Sequence, residues 1–127
     1  MRARPVITLL TDFGGRDPFV GIMKGVILGI CPEAVLVDLC HEVPSHDVLG
    51  GSFILRTAAP AFPPGAIHVA VVDPGVGGAR RPILAEADDH VFVAPDNGLL
   101  SHVLGSAKRR RVRHLTAREY WRHPVST

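Results

Sequence analysis

The chain has 127 residues, of which 46% are hydrophobic and 20% charged, a balance typical of one globular domain with its own core. Its longest apolar runs are far shorter than the roughly 20 residues that span a bilayer, and no signal-peptide pattern follows the basic N-terminus. We therefore expect a cytoplasmic protein without a membrane partner.

The net charge of +2 divides unevenly along the chain. Residues 1–106 hold seven Lys and Arg against eleven Asp and Glu, a net charge of −4, whereas residues 107–127 hold seven against one, a net charge of +6. The basic segment contains a run of arginines without interleaved aromatic residues, and the acidic body would oppose a polyanion. We expect a solvated face or a subunit contact there and no nucleic-acid partner.

Strand and helix patterns alternate through the first half of the chain. Asp47 is a plausible N-cap, and the pair Gly50-Gly51 would weaken the helix behind it or allow close packing. Asp96 or Asn97 is expected to cap a short helix ending near Gly105. In chain order the predicted elements are a strand over Val6–Leu10, a helix from Phe19 that stops before Pro32, a strand over Ala34–Leu39, a helix from Val48 to about Ala59, a strand over Ile67–Val72, a strand pair over Ile83–Ala87 and His90–Val93, the short helix, and a strand over Val112–Leu115.

This alternation predicts an α/β fold with a mostly parallel central sheet flanked by helices. In such sheets ligands bind beyond the carboxyl ends of the strands. Asp12, Asp38 or His41, and Asp73 each fall at that end of a predicted strand. Polar side chains that converge on one edge favour a binding or catalytic site there.

The segment from Val71 to Arg81 carries the strongest functional signal. A strand ends in Asp73, a Pro/Gly turn follows, and Arg80 comes seven residues later across a glycine loop. This arrangement is consistent with a carboxylate–guanidinium pair held by a rigid sheet. A tight turn with an incidental Asp and solvated arginines explains the isolated motif about as well.

Three further polar positions have open interpretations. Asp12 suits the vicinal hydroxyls of a ribose better than a phosphate, although an Asx-type turn explains it too. His41 and His46 are five residues apart with Pro44 between them, which opposes a helical zinc motif and favours a pocket-lining loop. Asn97 serves helix capping or the pocket.

Five blocks of the sequence together resemble the N-terminal domain of the S-adenosyl-L-methionine (SAM) hydroxide adenosyltransferase family, relatives of the fluorinase and chlorinase. They occur in family-like order and spacing over nearly the whole chain: Thr8–Gly14, Met23–Val26, Val37–Val43, Val72–Gly77 and Phe92–Leu100.

The resemblance implies a reaction and residue roles. Hydroxide derived from water would attack C5′ of SAM, giving adenosine and L-methionine, with SAM as the substrate and no cofactor or metal. Asp73 and Arg80 match two members of the family's Asp–Arg–His triad, and Asp12 matches its ribose-binding Asp. His46, Val76 and Asn97 would complete the substrate-binding set. Where the halogenating relatives have a Tyr, Asp73 would repel a halide, so hydroxide chemistry is favoured over halogenation.

The resemblance also implies that the chain is the N-terminal SAM-binding domain alone, residues 1–127. The family's catalytic His and its C-terminal β-barrel-like domain would follow Thr127, so we expect a truncated sequence or gene fragment that is inactive alone. The complete protein is expected to form a homotrimer. The rivals are a SAM-dependent halogenase and a non-catalytic nucleoside-binding or oligomerisation module.

Overall fold

The computed structural model describes residues 4–74 and 81–116. No helix in these ranges is both long and apolar enough to cross a membrane. The elements in chain order are β1 Val6–Thr11, α1 Phe19–Ile30, β2 Val35–Cys40, α2 Val48–Ala58 with a 3₁₀ turn at Ala59–Ala61, β3 Ile67–Val71, β4 Pro82–Ala87, β5 His90–Pro95, α3 Ser101–Ser106 and β6 Arg110–His114.

The strands form one sheet in the order β2-β1-β3-β5-β4-β6. Strands β2, β1, β3 and β5 pair in parallel, whereas β4 is antiparallel to both β5 and β6. The predicted α/β fold with a mostly parallel sheet is confirmed. The expected strand pair around Asp88 is a hairpin in which Ala87 faces His90, and the positive φ of Asp88, 54°, suits its two-residue turn.

Helices α1 and α2 cover opposite faces of the sheet. On one face Met23 and Ile27 of α1 pack against Ile7 and Leu9. The other face holds the larger core, which includes Leu10 and is covered by α2 and α3. Other members of this core are Leu55, Val72, Leu99 and Val103. Because β1 has a helix-covered core on each side, its near-continuous apolar sequence is explained.

The N-terminus of α2 lies where the sequence predicts it. The Asp47 carboxylate accepts a 2.9 Å hydrogen bond from the Gly50 backbone N–H, which confirms the N-cap. Gly51 allows close packing, because a Cβ there would lie 3.0 Å from Leu99 Cδ1 and 3.2 Å from Val72 Cγ2.

The predicted cap of α3 is wrong. The helix begins at Ser101, and neither Asp96 nor Asn97 caps it. Asn97 Oδ1 instead accepts the Leu99 N–H at 3.1 Å, and Gly98 follows with a φ of 93°. An Asx-type turn therefore precedes the helix, and its hydrogen bond uses the Asn97 oxygen that was expected to cap the helix.

Candidate functional site

The predicted site residues gather at the carboxyl edge of the parallel strands. Asp12 follows β1 directly, Asp73 follows β3 by two residues, and Asn97 follows β5 by two. Thr11 is paired with Val71, so the chain leaves β1 and β3 at the same level. Because α1 and α2 run to opposite faces, β1 and β3 border the crevice where such sheets bind ligands.

Asp12 and His46, both predicted to bind substrate, are brought together. Asp12 Oδ2 accepts a 2.9 Å hydrogen bond from the His46 backbone N–H. Within residues 4–74 and 81–116, no group hydrogen-bonds to Asp12 Oδ1. His46 has a φ of 64°, a left-handed conformation that a non-glycine residue adopts at a cost of about 1–3 kcal/mol. The contact to Asp12 comes from the His46 backbone, and the His46 side chain is exposed.

A network of side-chain hydrogen bonds adjoins Asp12. Thr11, which is fully buried, has its hydroxyl 2.8 Å from His41 Nδ1. His41 Nε2 lies 2.7 Å from Asp38 Oδ1, and Lys24 Nζ lies 2.8 Å from Asp38 Oδ2. Thr11 Oγ1 also accepts the Phe13 N–H at 3.2 Å. This hydrogen-bond network therefore links α1, β2 and the end of β1.

The Asp38 carboxylate is the acceptor at the centre of this hydrogen-bond network. Hydrogen bonds from His41 and from Lys24 hold the pKa of the Asp38 carboxyl below its usual 3.8, against a smaller opposing effect of burial. The carboxylate is therefore ionised at neutral pH and acts only as an acceptor. His41, whose side chain is 14% exposed, must then carry its proton on Nε2.

Asn97 joins the exits of β3 and β5. Its Nδ2 donates a 2.9 Å hydrogen bond to the Val72 carbonyl oxygen, and its Oδ1 accepts the Leu99 N–H. The amide therefore fixes the backbone next to Asp73, which is itself half-buried. Contact between Asn97 and a substrate stays a prediction.

Arg80 and Val76 lie outside the described residues. The predicted pairing of Asp73 with Arg80 and the predicted role of Val76 are therefore sequence-based expectations, as before.

Sequence reasoning missed the participation of Thr11 and Lys24 and left His41 without a partner. One signal was present: Asp38 and His41 are three residues apart at the end of an apolar strand, close enough for a carboxylate to meet an imidazole. Thr11 could not be matched to them without the pairing of β1 and β2.

The sequence model of the SAM hydroxide adenosyltransferase N-terminal domain matches residues 7–127. The chain belongs to this family. Its resemblance to the family, inferred from five short blocks, is confirmed over nearly the whole length.

Relatives of the chain carry the names of two kinds of enzyme. The chain is 39% identical over 127 residues to the (R)-S-adenosyl-L-methionine hydrolase of Methanocaldococcus jannaschii, covering 96% of the chain and 47% of that protein. A fluorinase of Nocardia brasiliensis is 27% identical over 124 residues, covering 80% of the chain and 41% of the fluorinase. The chain thus spans less than half the length of these relatives.

The fold of this family domain is also present in solved structures. A crystal structure of a conserved protein from Thermotoga maritima superposes with a TM-score of 0.86 at 39% identity, covering 89% of the chain and 44% of that structure. The sheet and helices described above are therefore shared with that protein.

Proposed function

We propose that the complete protein hydrolyses SAM to adenosine and L-methionine, with the site at the carboxyl edge of β1 and β3. The observation that carries the proposal is the pair of carboxylates, Asp12 and Asp73, at the ends of the two strands that border the crevice. The higher identity to a SAM hydrolase than to a fluorinase agrees with it.

Asp12 is proposed to bind the ribose. A carboxylate accepts hydrogen bonds from both hydroxyls of a vicinal diol, and Asp12 Oδ1 has no partner among the described residues. Oδ2 is held by the His46 N–H, so the group is oriented before a ligand arrives. His46 and Asn97 are proposed to line the same pocket, His46 through its exposed ring.

Asp73 and Arg80 are proposed to orient the attacking water as two members of an Asp–Arg–His triad. The oxygen of water forms a bond to C5′ as the C5′–S bond breaks. Methionine leaves as a neutral thioether that needs no acid, and the water loses one proton. The cationic sulfonium is consumed and one proton is released, so the charge balances. In-line placement of the water would provide much of the acceleration.

Halogenation is the competing chemistry within the same superfamily. A halide would replace water as the nucleophile, and its binding would place an anion near the Asp73 carboxylate. Two like charges about 4 Å apart repel by about 4 kcal/mol at a protein surface. Hydroxide transfer is therefore the better match, with Val76 proposed to belong to the substrate-binding set.

The experiment uses the complete gene product and SAM in water enriched in ¹⁸O. The expected products are methionine and adenosine carrying one ¹⁸O on its 5′ oxygen, read by mass spectrometry. Parallel incubations with chloride and fluoride should give no 5′-halo-adenosine. Unlabelled adenosine, a halogenated product or no turnover would contradict the proposal.

Asp73→Asn is the informative variant in that experiment, because it keeps the shape and removes the charge. We expect turnover to fall at least about 100-fold, the lower range for loss of a group that manages a proton. If Asp73→Asn leaves turnover intact while adenosine still binds, the non-catalytic nucleoside-binding module becomes the better description.

We further propose that the complete protein is a cytoplasmic homotrimer and that residues 1–127 alone give little or no turnover. The reason is that the chain spans only 47% of the length of the Methanocaldococcus jannaschii SAM hydrolase. Sedimentation of the complete protein and assay of the 127-residue chain would test the two statements separately.

A further inference from the structure

We propose that His41 is a positioning residue that holds Asp12 in its ribose-binding orientation. This inference rests on the proposed function, since it assigns a role toward the same ribose. It goes beyond the triad and the substrate-binding set by naming a residue that acts through another.

The hydrogen bonds around His41 run in one direction when its imidazole is neutral. Lys24 and His41 both donate to Asp38, so His41 Nε2 carries a proton, and Nδ1 of the neutral imidazole is an acceptor. The Thr11 hydroxyl must then donate to Nδ1. Its oxygen in turn accepts the Phe13 N–H. With a neutral imidazole every donor in the series has one acceptor, and the charge on Asp38 selects the tautomer with the proton on Nε2.

Asp12 lies between two residues of this series. Thr11 and Phe13, the two residues on either side of Asp12, are joined through the Thr11 hydroxyl. The His41 carbonyl oxygen also accepts the Gly14 N–H at 2.7 Å. His41 therefore holds the chain before Asp12 with its ring and the chain after Asp12 with its backbone.

The ring of His41 has no nitrogen left for a ligand. Nδ1 is occupied by Thr11 and Nε2 by Asp38, and the side chain is only 14% exposed. An acid–base role toward substrate or water would require one of these bonds to break. The geometry therefore points to positioning rather than to direct catalysis.

The test compares His41→Ala, Asp12→Ala and the double variant in the complete gene product, by steady-state SAM hydrolysis and calorimetric adenosine binding. His41→Ala should raise KM and weaken adenosine binding by about tenfold, with a smaller change in kcat, because ribose binding is used in ground and transition states alike. The double variant should be no worse than Asp12→Ala, because His41 acts through Asp12.

His41→Asn provides the rescue. The Asn amide oxygen can occupy the place of Nδ1 and accept from Thr11, so most of the adenosine affinity should return even though the bond to Asp38 is lost. His102→Ala is the matched control. His102 is a half-buried histidine whose Nδ1 lies 2.8 Å from Ser52 Oγ, so its removal should lower stability and leave KM unchanged.

The outcomes separate the two proposals. Wild-type turnover with an unchanged KM in His41→Ala, or a double variant whose losses add, overturns the positioning role and leaves SAM hydrolysis standing. If the wild type binds adenosine without turnover, hydrolysis fails, and the double-variant cycle in adenosine affinity still decides the role of His41. A protein that binds no adenosine overturns both.

Discussion

Asn97 Nδ2 donates a 2.9 Å hydrogen bond to the carbonyl oxygen of Val72, the residue directly before Asp73. The same side chain accepts the N–H of Leu99. Val72 and Leu99 are both fully buried. One amide thus satisfies two backbone groups in the core while it fixes the segment from which the proposed catalytic carboxylate projects.

Replacing Asn97 with Ala should destabilise the protein by about 1–3 kcal/mol, because both buried backbone groups lose their partner. Turnover of SAM should also fall, since the backbone before Asp73 is released. Urea unfolding and steady-state kinetics would measure the two effects. Asp96→Ala is the control: among the described residues its exposed carboxylate contacts only His114, at 3.7 Å, so it should change stability by less than about 0.5 kcal/mol.

Asp47 should be worth about 1 kcal/mol as the N-cap of α2. Asp47→Ala removes the acceptor for the Gly50 N–H and lowers the free energy of unfolding by that amount. Asp47→Asn keeps an acceptor oxygen and loses only the favourable charge at the helix N-terminus, so it should cost less. Equal losses in the two variants, measured by urea unfolding, would show that the charge rather than the hydrogen bond matters.

Two helix glycines should respond in opposite directions to the same substitution. An added Cβ at Gly25 of α1 meets nothing within 4 Å, so Gly25→Ala should stabilise by about 0.5–1 kcal/mol through helix propensity. At Gly51 of α2 the Cβ would press on Leu99 and Val72, so Gly51→Ala should destabilise by about 1–3 kcal/mol. Thermal unfolding of both variants checks the sign; stabilisation by Gly51→Ala would mean that the core yields easily.

The features that the sequence predicts well depend on neighbouring residues. Asp47 caps α2 because cap and helix are adjacent in the chain, and Asp12 and Asp73 reach one edge because each ends a parallel strand. The helical spacing over α1 was also right, but Phe19 and Ile30 are 54% and 79% exposed. Spacing identifies which residues share a face and carries no information on what covers that face.

The features that the sequence does not predict depend on register. The pairing of β1 with β2 shifts between Leu9 and Leu10, so that Leu10 lies opposite Cys40. This irregularity brings the residue after Leu10 level with the residue after Cys40, and Thr11 meets His41. Two mostly apolar strand sequences give no sign of such a shift, and the hydrogen bond spans 30 positions.

His68, in the middle of the sheet, should make the protein lose stability as the pH falls below about 6.5. The ring is fully buried, hydrogen-bonded to Thr8 at 2.7 Å and to His90 at 2.9 Å, and stacked on Phe92. Burial, and then repulsion from His90, lowers the pKa of His68 from 6.5 to about 4. Between these two values the unfolded chain binds a proton that the folded protein does not.

The stability is therefore fully present above pH 6.5 and decreases as the pH falls toward 4, by about 3 kcal/mol in total. The measurement is the free energy of urea unfolding between pH 7 and pH 5, a range above the ionisation of Asp38. His68→Gln should be less stable at pH 7. The slope of its unfolding free energy against pH should be shallower than that of the wild type, by up to the contribution of one bound proton. His114→Gln, which alters a partly exposed histidine on β6, should keep the wild-type slope. If His68→Gln and the wild type had the same slope, the buried imidazole would not be the group that destabilises the protein in acid.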